Sequence, residues 1–168
     1  AAPRINVNQV DKDGVTPLIM ACHKGNIRCV ETLLAAPRIN VNQANKDGAT
    51  PLSMACENGN IRCVEALLAA PRINVNQATH GDATGDKGGP FQHVTPLRIA
   101  AQEDHVDVVR VLVEQDGIDL DKPGNTNETW GFESPLEIAR RLGHAAIVEV
   151  RLTAGAKLDD EEVPDDDS

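Results

Sequence analysis

The residues of this chain best suited to chemistry are four cysteines, Cys22, Cys29, Cys56 and Cys63. Each pair is spaced by seven, and the two pairs lie 34 apart. A thiolate metal site needs a short CxxC-like knuckle or a nearby histidine pair, and neither is present. The thiols are therefore expected to be small buried apolar groups. At the matching positions further along stand Ala101, Val108, Arg140 and Ile147, which points to packing rather than ligation. Free buried thiols favour a reducing, intracellular compartment, cytoplasmic or nuclear.

Other chemical candidates are weaker. Gly81–Gly88 has the glycines of a phosphate loop but lacks the Gly-Lys-Ser/Thr ending and a strand leading into a helix. Asp82 and Asp86 suggest a calcium loop, yet Thr84 stands at the third position and no glycine at the sixth. His80 and His93 are 13 apart in an insertion and make a poor metal pair. No nucleophile and base stand at a defined spacing. We expect no catalytic residues, no metal and no cofactor.

The elements that must position any site are repeats. Residues 1–34 and 35–68 differ at only seven of 34 positions: Val10/Ala44, Asp11/Asn45, Val15/Ala49, Ile19/Ser53, His23/Glu57, Lys24/Asn58 and Thr32/Ala66. Pro17 and Pro51 are 34 apart, Pro96 follows 45 later and Pro135 another 39 later. Each proline opens a segment (TPLIMACHKG, TPLSMACENG, TPLRIAAQED, SPLEIARRLG) that is followed by an apolar run. A fixed period of this size marks a solenoid, whose extended face suits macromolecular partners.

Within a unit, Thr16 suits a helix N-cap and Pro17 the first helical position. Gly25 ends the first helix, and Asn26 caps a second from Ile27 to about residue 35. Ile27, Cys29, Val30, Leu33 and Leu34 form one apolar stripe, and Pro37 stops the helix. Lys46-Asp47-Gly48 marks a tight turn. In the third unit Asp104 takes the place of the glycine and is expected to tolerate the left-handed conformation. Helices this short need neighbouring pairs for stability.

The pattern DG-x-TPL-x-x-A-x-x-x-G, then V-x-x-LL and V-N, resembles the ankyrin repeat. The resemblance covers residues 1–158, in units of about 1–34, 35–68, 69–114 and 115–158, with 159–168 an acidic flexible tail. It implies an all-α solenoid of stacked antiparallel helix pairs with β-turn fingers, two of them lengthened. It also implies a non-enzymatic protein–protein interaction module. The usual contact positions fall on Lys12, Asp13, Val15, His23 and Lys24, then Lys46, Asp47, Ala49, Glu57 and Asn58. In the third unit they fall on Gln102 and Glu103, and in the fourth on Arg141 and Leu142.

The chain departs from the family in three ways. The histidine after TPL is replaced by Ile19, Ser53, Arg98 and Glu137, which leaves open the hydrogen bonding between repeats that it often makes. The first three units carry an extra residue after their second helix. The fingers Ala78–Val94 and Lys122–Ser134 are long and hold every aromatic residue: Phe91, Trp130 and Phe132. Exposed aromatics on long loops are typical binding anchors, so these three join the candidate site; they could equally pin the two loops together.

Charge narrows the partners. Asp159–Ser168 holds seven of the 26 acidic residues, so a net charge of −10 reduces to −3 for the rest of the chain. No basic face with interleaved aromatics suits nucleic acid. No apolar run is long enough for a membrane span. Protein partners are expected, held transiently or within a permanent assembly. At the carboxyl end, Arg140 and Arg151 stand at stacking positions and are expected to form a polar cap. Unit one nearly copies the interior unit two. Its upstream face should therefore be apolar, covered by further repeats of a longer chain or by a partner.

Overall fold

The computed structural model describes residues 5–80, 93–125 and 132–155, the side chains of Asn125 and Phe132 excepted. It forms four helix pairs: α1 (Pro17–His23) with α2 (Ile27–Leu34), and α3 (Pro51–Glu57) with α4 (Ile61–Leu68). These are followed by α5 (Pro96–Gln102) with α6 (Val106–Val113) and α7 (Pro135–Leu142) with α8 (Ala145–Thr153). Before α7, β1 (Gly124–Asn125) and β2 (Phe132–Glu133) form a two-residue antiparallel ladder. Gly124 is required there, because a Cβ would run into Val94 and press on Arg98.

Local sequence explains each helix start. Thr16, Thr50, Thr95 and Ser134 accept from the amides of Ile19, Ser53, Arg98 and Glu137, three residues on, and proline follows every cap. Ser53 and Glu137 return the favour, accepting from the Thr50 and Ser134 amides at 2.8 and 2.6 Å. That is how two of the replaced histidine positions are used. Between the paired helices Gly25, Gly59, Asp104 and Gly143 all have φ between 59° and 80°, so Asp104 does adopt the left-handed conformation.

The pairs stack in chain order. α1, α3, α5 and α7 pack in one row, and α2, α4, α6 and α8 in a second. Leu18, Leu52 and Leu97 from the first row and Val30, Val64 and Val109 from the second make one continuous core. Burying such side chains is worth about 2 kcal/mol each.

Three hydrogen-bond ladders lock adjacent units in register. In the first, the residue before the second helix reaches back: Asn60 Nδ2 donates to Cys22 O at 2.8 Å, His105 Nε2 to Glu57 O at 3.0 Å, and His144 Nδ1 to Ala101 O at 2.9 Å. A carbonyl only accepts, so each ring nitrogen carries the proton. In the second ladder, Asn8, Asn42 and Asn76 donate to Arg38 O, Arg72 O and Gly117 O and accept from the amides of Asn40, Asn74 and Asp119, all at 2.7–2.9 Å. The extra residue after the second helix makes this bridge possible. It puts Arg38, Arg72 and Gly117 at φ 67°, 66° and 75°, a strain of about 1 kcal/mol at each arginine. In the third, Lys46 N donates to Asp13 O and His80 N to Asp47 O, joining successive fingers.

Two expectations are corrected. Cys29 is exposed, whereas Cys22, Cys56 and Cys63 are buried, because nothing described packs on the upstream side of α2. Burial pushes the Cys22 thiol up to about 12 and raises Cys56 and Cys63 as well. Arg140 is exposed as expected of a cap, but Arg151 is fully buried. It occupies the inward position of Leu67 and Leu112, and its Nη2 lies 3.5 Å from Asp121 Oδ1. That approach is an ion pair, and none of its guanidinium nitrogens has a hydrogen-bond partner among the described residues.

Candidate partner-binding surface

The expected contact residues lie along the fingers and the C-terminal ends of the first-row helices. Lys12 and Asp13 in the first finger, and Lys46 and Asp47 in the second, are exposed, with Val15 and Ala49 half-buried beside them. The finger shape comes from one acidic or amide side chain per turn. Asp11 Oδ1 accepts from Asp13 N and Val15 N, and Asn45 Oδ1 from Asp47 N and Ala49 N. The Asp11/Asn45 difference between the units thus preserves the turn while changing its charge. Those two amide bonds hold the Asp11 carboxyl below its ordinary range.

At the helix ends the residues meet across units. Asn58 Nδ2 lies 3.3 Å from His23 Nδ1, and Lys24 is exposed beside His23. Half-buried Glu57 faces Glu103 of the next unit; desolvation first, then the Glu103 charge, raises its pKa, and His23 partly offsets them. Gln102 Nε2 donates to Glu103 Oε1 at 3.1 Å. Arg141 and Leu142 are exposed at the far end of the row.

The sequence did not point to the network that organises this far end. Arg98 is fully buried and crosses the unit boundary. Its Nε donates to Glu133 O at 2.9 Å and its Nη1 to Gln102 Oε1 at 3.3 Å. Glu133 in turn holds Arg141 through two bonds, 2.7 Å to Nε and 3.0 Å to Nη2. Arg98, at the position of the missing histidine, therefore makes a hydrogen bond between repeats by a different route. Burial lowers its pKa, and Glu133 opposes that shift. An arginine at a helix position otherwise held by Ile19 and Ser53 was the available signal.

Not every candidate is placed. Phe91 and Trp130 lie outside the described residues, as do the inserted stretches 81–92 and 126–131 and the acidic tail. Phe132 is placed by its backbone in β2.

Among the described residues no group of three or more His, Cys, Asp and Glu could hold a metal ion. No described helix is long and apolar enough to cross a membrane.

The rows of paired helices, with fingers before each first-row helix, define a helical-hairpin solenoid. Family models agree: one described as ankyrin repeats (3 copies) matches residues 3–79, and one described as ankyrin repeat matches residues 92–125. The chain belongs to the ankyrin-repeat family. Ankyrin repeats are generally protein–protein interaction modules and are typically non-catalytic. No curated protein matches the chain.

Proposed function

We propose that this chain binds a protein partner without catalysis, through the fingers and first-row helix ends of a repeat domain spanning residues 1–158. Phe91, Trp130 and Phe132 serve as aromatic anchors at its far end. One observation carries this reading. The two near-identical units agree at exposed second-row positions such as Arg28/Arg62 and Glu31/Glu65. They differ at His23/Glu57 and Lys24/Asn58 on the first row and at Asp11/Asn45 in the fingers. Neutral drift of exposed residues would alter both rows alike; only Thr32/Ala66 changes in the second.

The helix-end row of this surface carries His23 and Lys24 at one end, Glu57 and Glu103 in the middle, and Arg141 at the other, while each finger turn sets a lysine beside an aspartate, Lys12 with Asp13 and Lys46 with Asp47. A partner matching it places basic groups opposite Glu57 and Glu103 and acidic groups at the flanks, which favours one docking register over others. The test is hydrogen exchange on the complex recovered from its source. Slowed exchange in the fingers, α1 and α3, with α2 and α4 unchanged, supports the assignment. Protection confined to α2 and α4 overturns it.

A further inference from the structure

Glu133 is shared between two arginines of opposite exposure. Arg98 is fully buried; its Nε donates to Glu133 O at 2.9 Å and its Nη1 to Gln102 Oε1 at 3.3 Å. Its Nη2 is buried as well and has no hydrogen-bond partner among the described residues. Glu133 Oε2 lies 3.9 Å from that nitrogen, about 1 Å beyond an N–H···O bond. The same Oε2 accepts from Nη2 of the exposed Arg141 at 3.0 Å, and Oε1 accepts from its Nε at 2.7 Å. The carboxylate thus completes its bonds to the surface cation and stops short of the buried one.

The opposite sharing becomes favourable once Arg141 has another anion. An exposed ion pair is worth little, because water replaces either member. A buried donor without an acceptor is unfavourable. The frame around the carboxylate is fixed. The Glu133 backbone pairs with Gly124 in the β1–β2 ladder and receives Arg98 Nε. Gln102 braces the guanidinium from its own helix, and Gly124 lies tight against Val94 and Arg98. Reaching Nη2 therefore needs only a turn of the Glu133 side chain, which is 13% exposed. A second carboxylate brought to Arg141 is repelled by Glu133 for as long as Glu133 stays there. Arg98 Nη2 offers Glu133 a donor to move to.

We propose that Glu133 is an exchangeable internal carboxylate: an acidic side chain of a protein partner takes Arg141, and Glu133 moves onto Arg98 Nη2. This rests on the first-row reading and deepens it, because it sets how an acidic group enters at the Arg141 end. Glu133 is then a built-in competitor, displaced by a carboxylate that bonds Arg141 through both oxygens and not by a neutral acceptor. The test is a titration of the full chain with a hexaglutamate peptide, read by the guanidinium nitrogen and proton resonances of Arg98 and Arg141. Both arginines should shift with one midpoint, the Arg98 Nη2 protons moving downfield as they gain an acceptor. A shift at Arg141 with Arg98 unmoved means that the peptide binds beside Glu133, and overturns the proposal. No shift at Arg141 overturns it too. Glu133→Gln keeps the backbone acceptor of Arg98 Nε and removes the competitor. It should bind the peptide about fivefold tighter, a factor of the size expected for an exposed pair, and leave Arg98 still. Unchanged affinity, or an Arg98 shift in that variant, overturns the exchange. The parent titration decides by itself if the variant folds poorly. It contains no partner, so its failure leaves the first-row reading to the hydrogen exchange of the recovered complex.

Discussion

The first two units are almost one sequence in two surroundings. Cys63 and Leu67 are fully buried, whereas Cys29 is exposed and Leu33 is half-buried. Their helices begin and end at matching residues. Secondary structure in this chain is therefore set within the unit, by caps and turns, while burial is set by the neighbour. Stability follows the second, as in other repeat stacks. The same comparison separates packing from recognition, because the seven differences keep the finger turns and the Thr16 and Thr50 caps and change mainly the outward side chains of the fingers and first row.

The largest expected effect comes from making one substitution in both units. Leu67→Ala should cost about 3 kcal/mol, since it opens a cavity at a fully buried position. Leu33→Ala, half exposed already, should cost about 1 kcal/mol. Urea denaturation of the two variants measures both. Equal costs would mean that the first unit is as well covered as the second, which breaks the comparison.

A smaller effect sharpens it at the position where His23 faces Glu57. Glu57 has a raised pKa from burial and the nearby Glu103. A carboxyl whose folded pKa is raised contributes stability below its ordinary value of 4.5 and loses it as pH rises through the raised value. Glu57→Gln should therefore raise the thermal midpoint at pH 7 and leave little difference below pH 4.5. A lowered midpoint at pH 7 would mean that an unrecognised cation stabilises the carboxylate. The Asp11 carboxyl shifts the other way, so Asp11→Ala, which removes the oxygen that accepts from Asp13 N and Val15 N, is expected to lower the thermal midpoint at neutral pH.

Much of the architecture was legible in the residues. Thr-Pro and Ser-Pro marked four helix starts, Gly25 and Asp104 the turns between helices, and the 34-residue period the stack. These are local signals, each complete within a few residues. What escaped the sequence depends on a neighbouring unit. Cys29 and Cys63 sit in the same local sequence, IRCVE, and only the presence of α2 beside α4 distinguishes them. Arg151 looked like a capping charge because arginine is normally solvated; the structure buries it toward Asp121. The extra residue after the second helices was visible as a wider turn. Its purpose, letting Asn8, Asn42 and Asn76 bridge successive loops, required the loops to be seen side by side. Likewise the loss of the usual histidine was plain, but not that Arg98 would reach Glu133 across the unit boundary.

Of the polar candidate positions, Lys12, Asp13, His23, Lys24, Lys46, Asp47, Asn58, Glu103 and Arg141 are exposed, whereas Glu57 and Gln102 are half-buried. Their mutual arrangement, His23 against Asn58 and Glu57 against Glu103, came only from the register that the ladders impose. The aromatic part of the proposal rests on sequence alone.

The most direct test of the account is to give the first unit the surface of the second and measure partner affinity by calorimetry. The variant His23→Glu with Lys24→Asn changes only side chains that differ between the units, on an unchanged scaffold. The account predicts at least a tenfold weaker complex, while Arg28→Ala with Glu31→Ala on the second row stays within twofold of the parent. An unchanged affinity for the first variant and a loss for the second would contradict it.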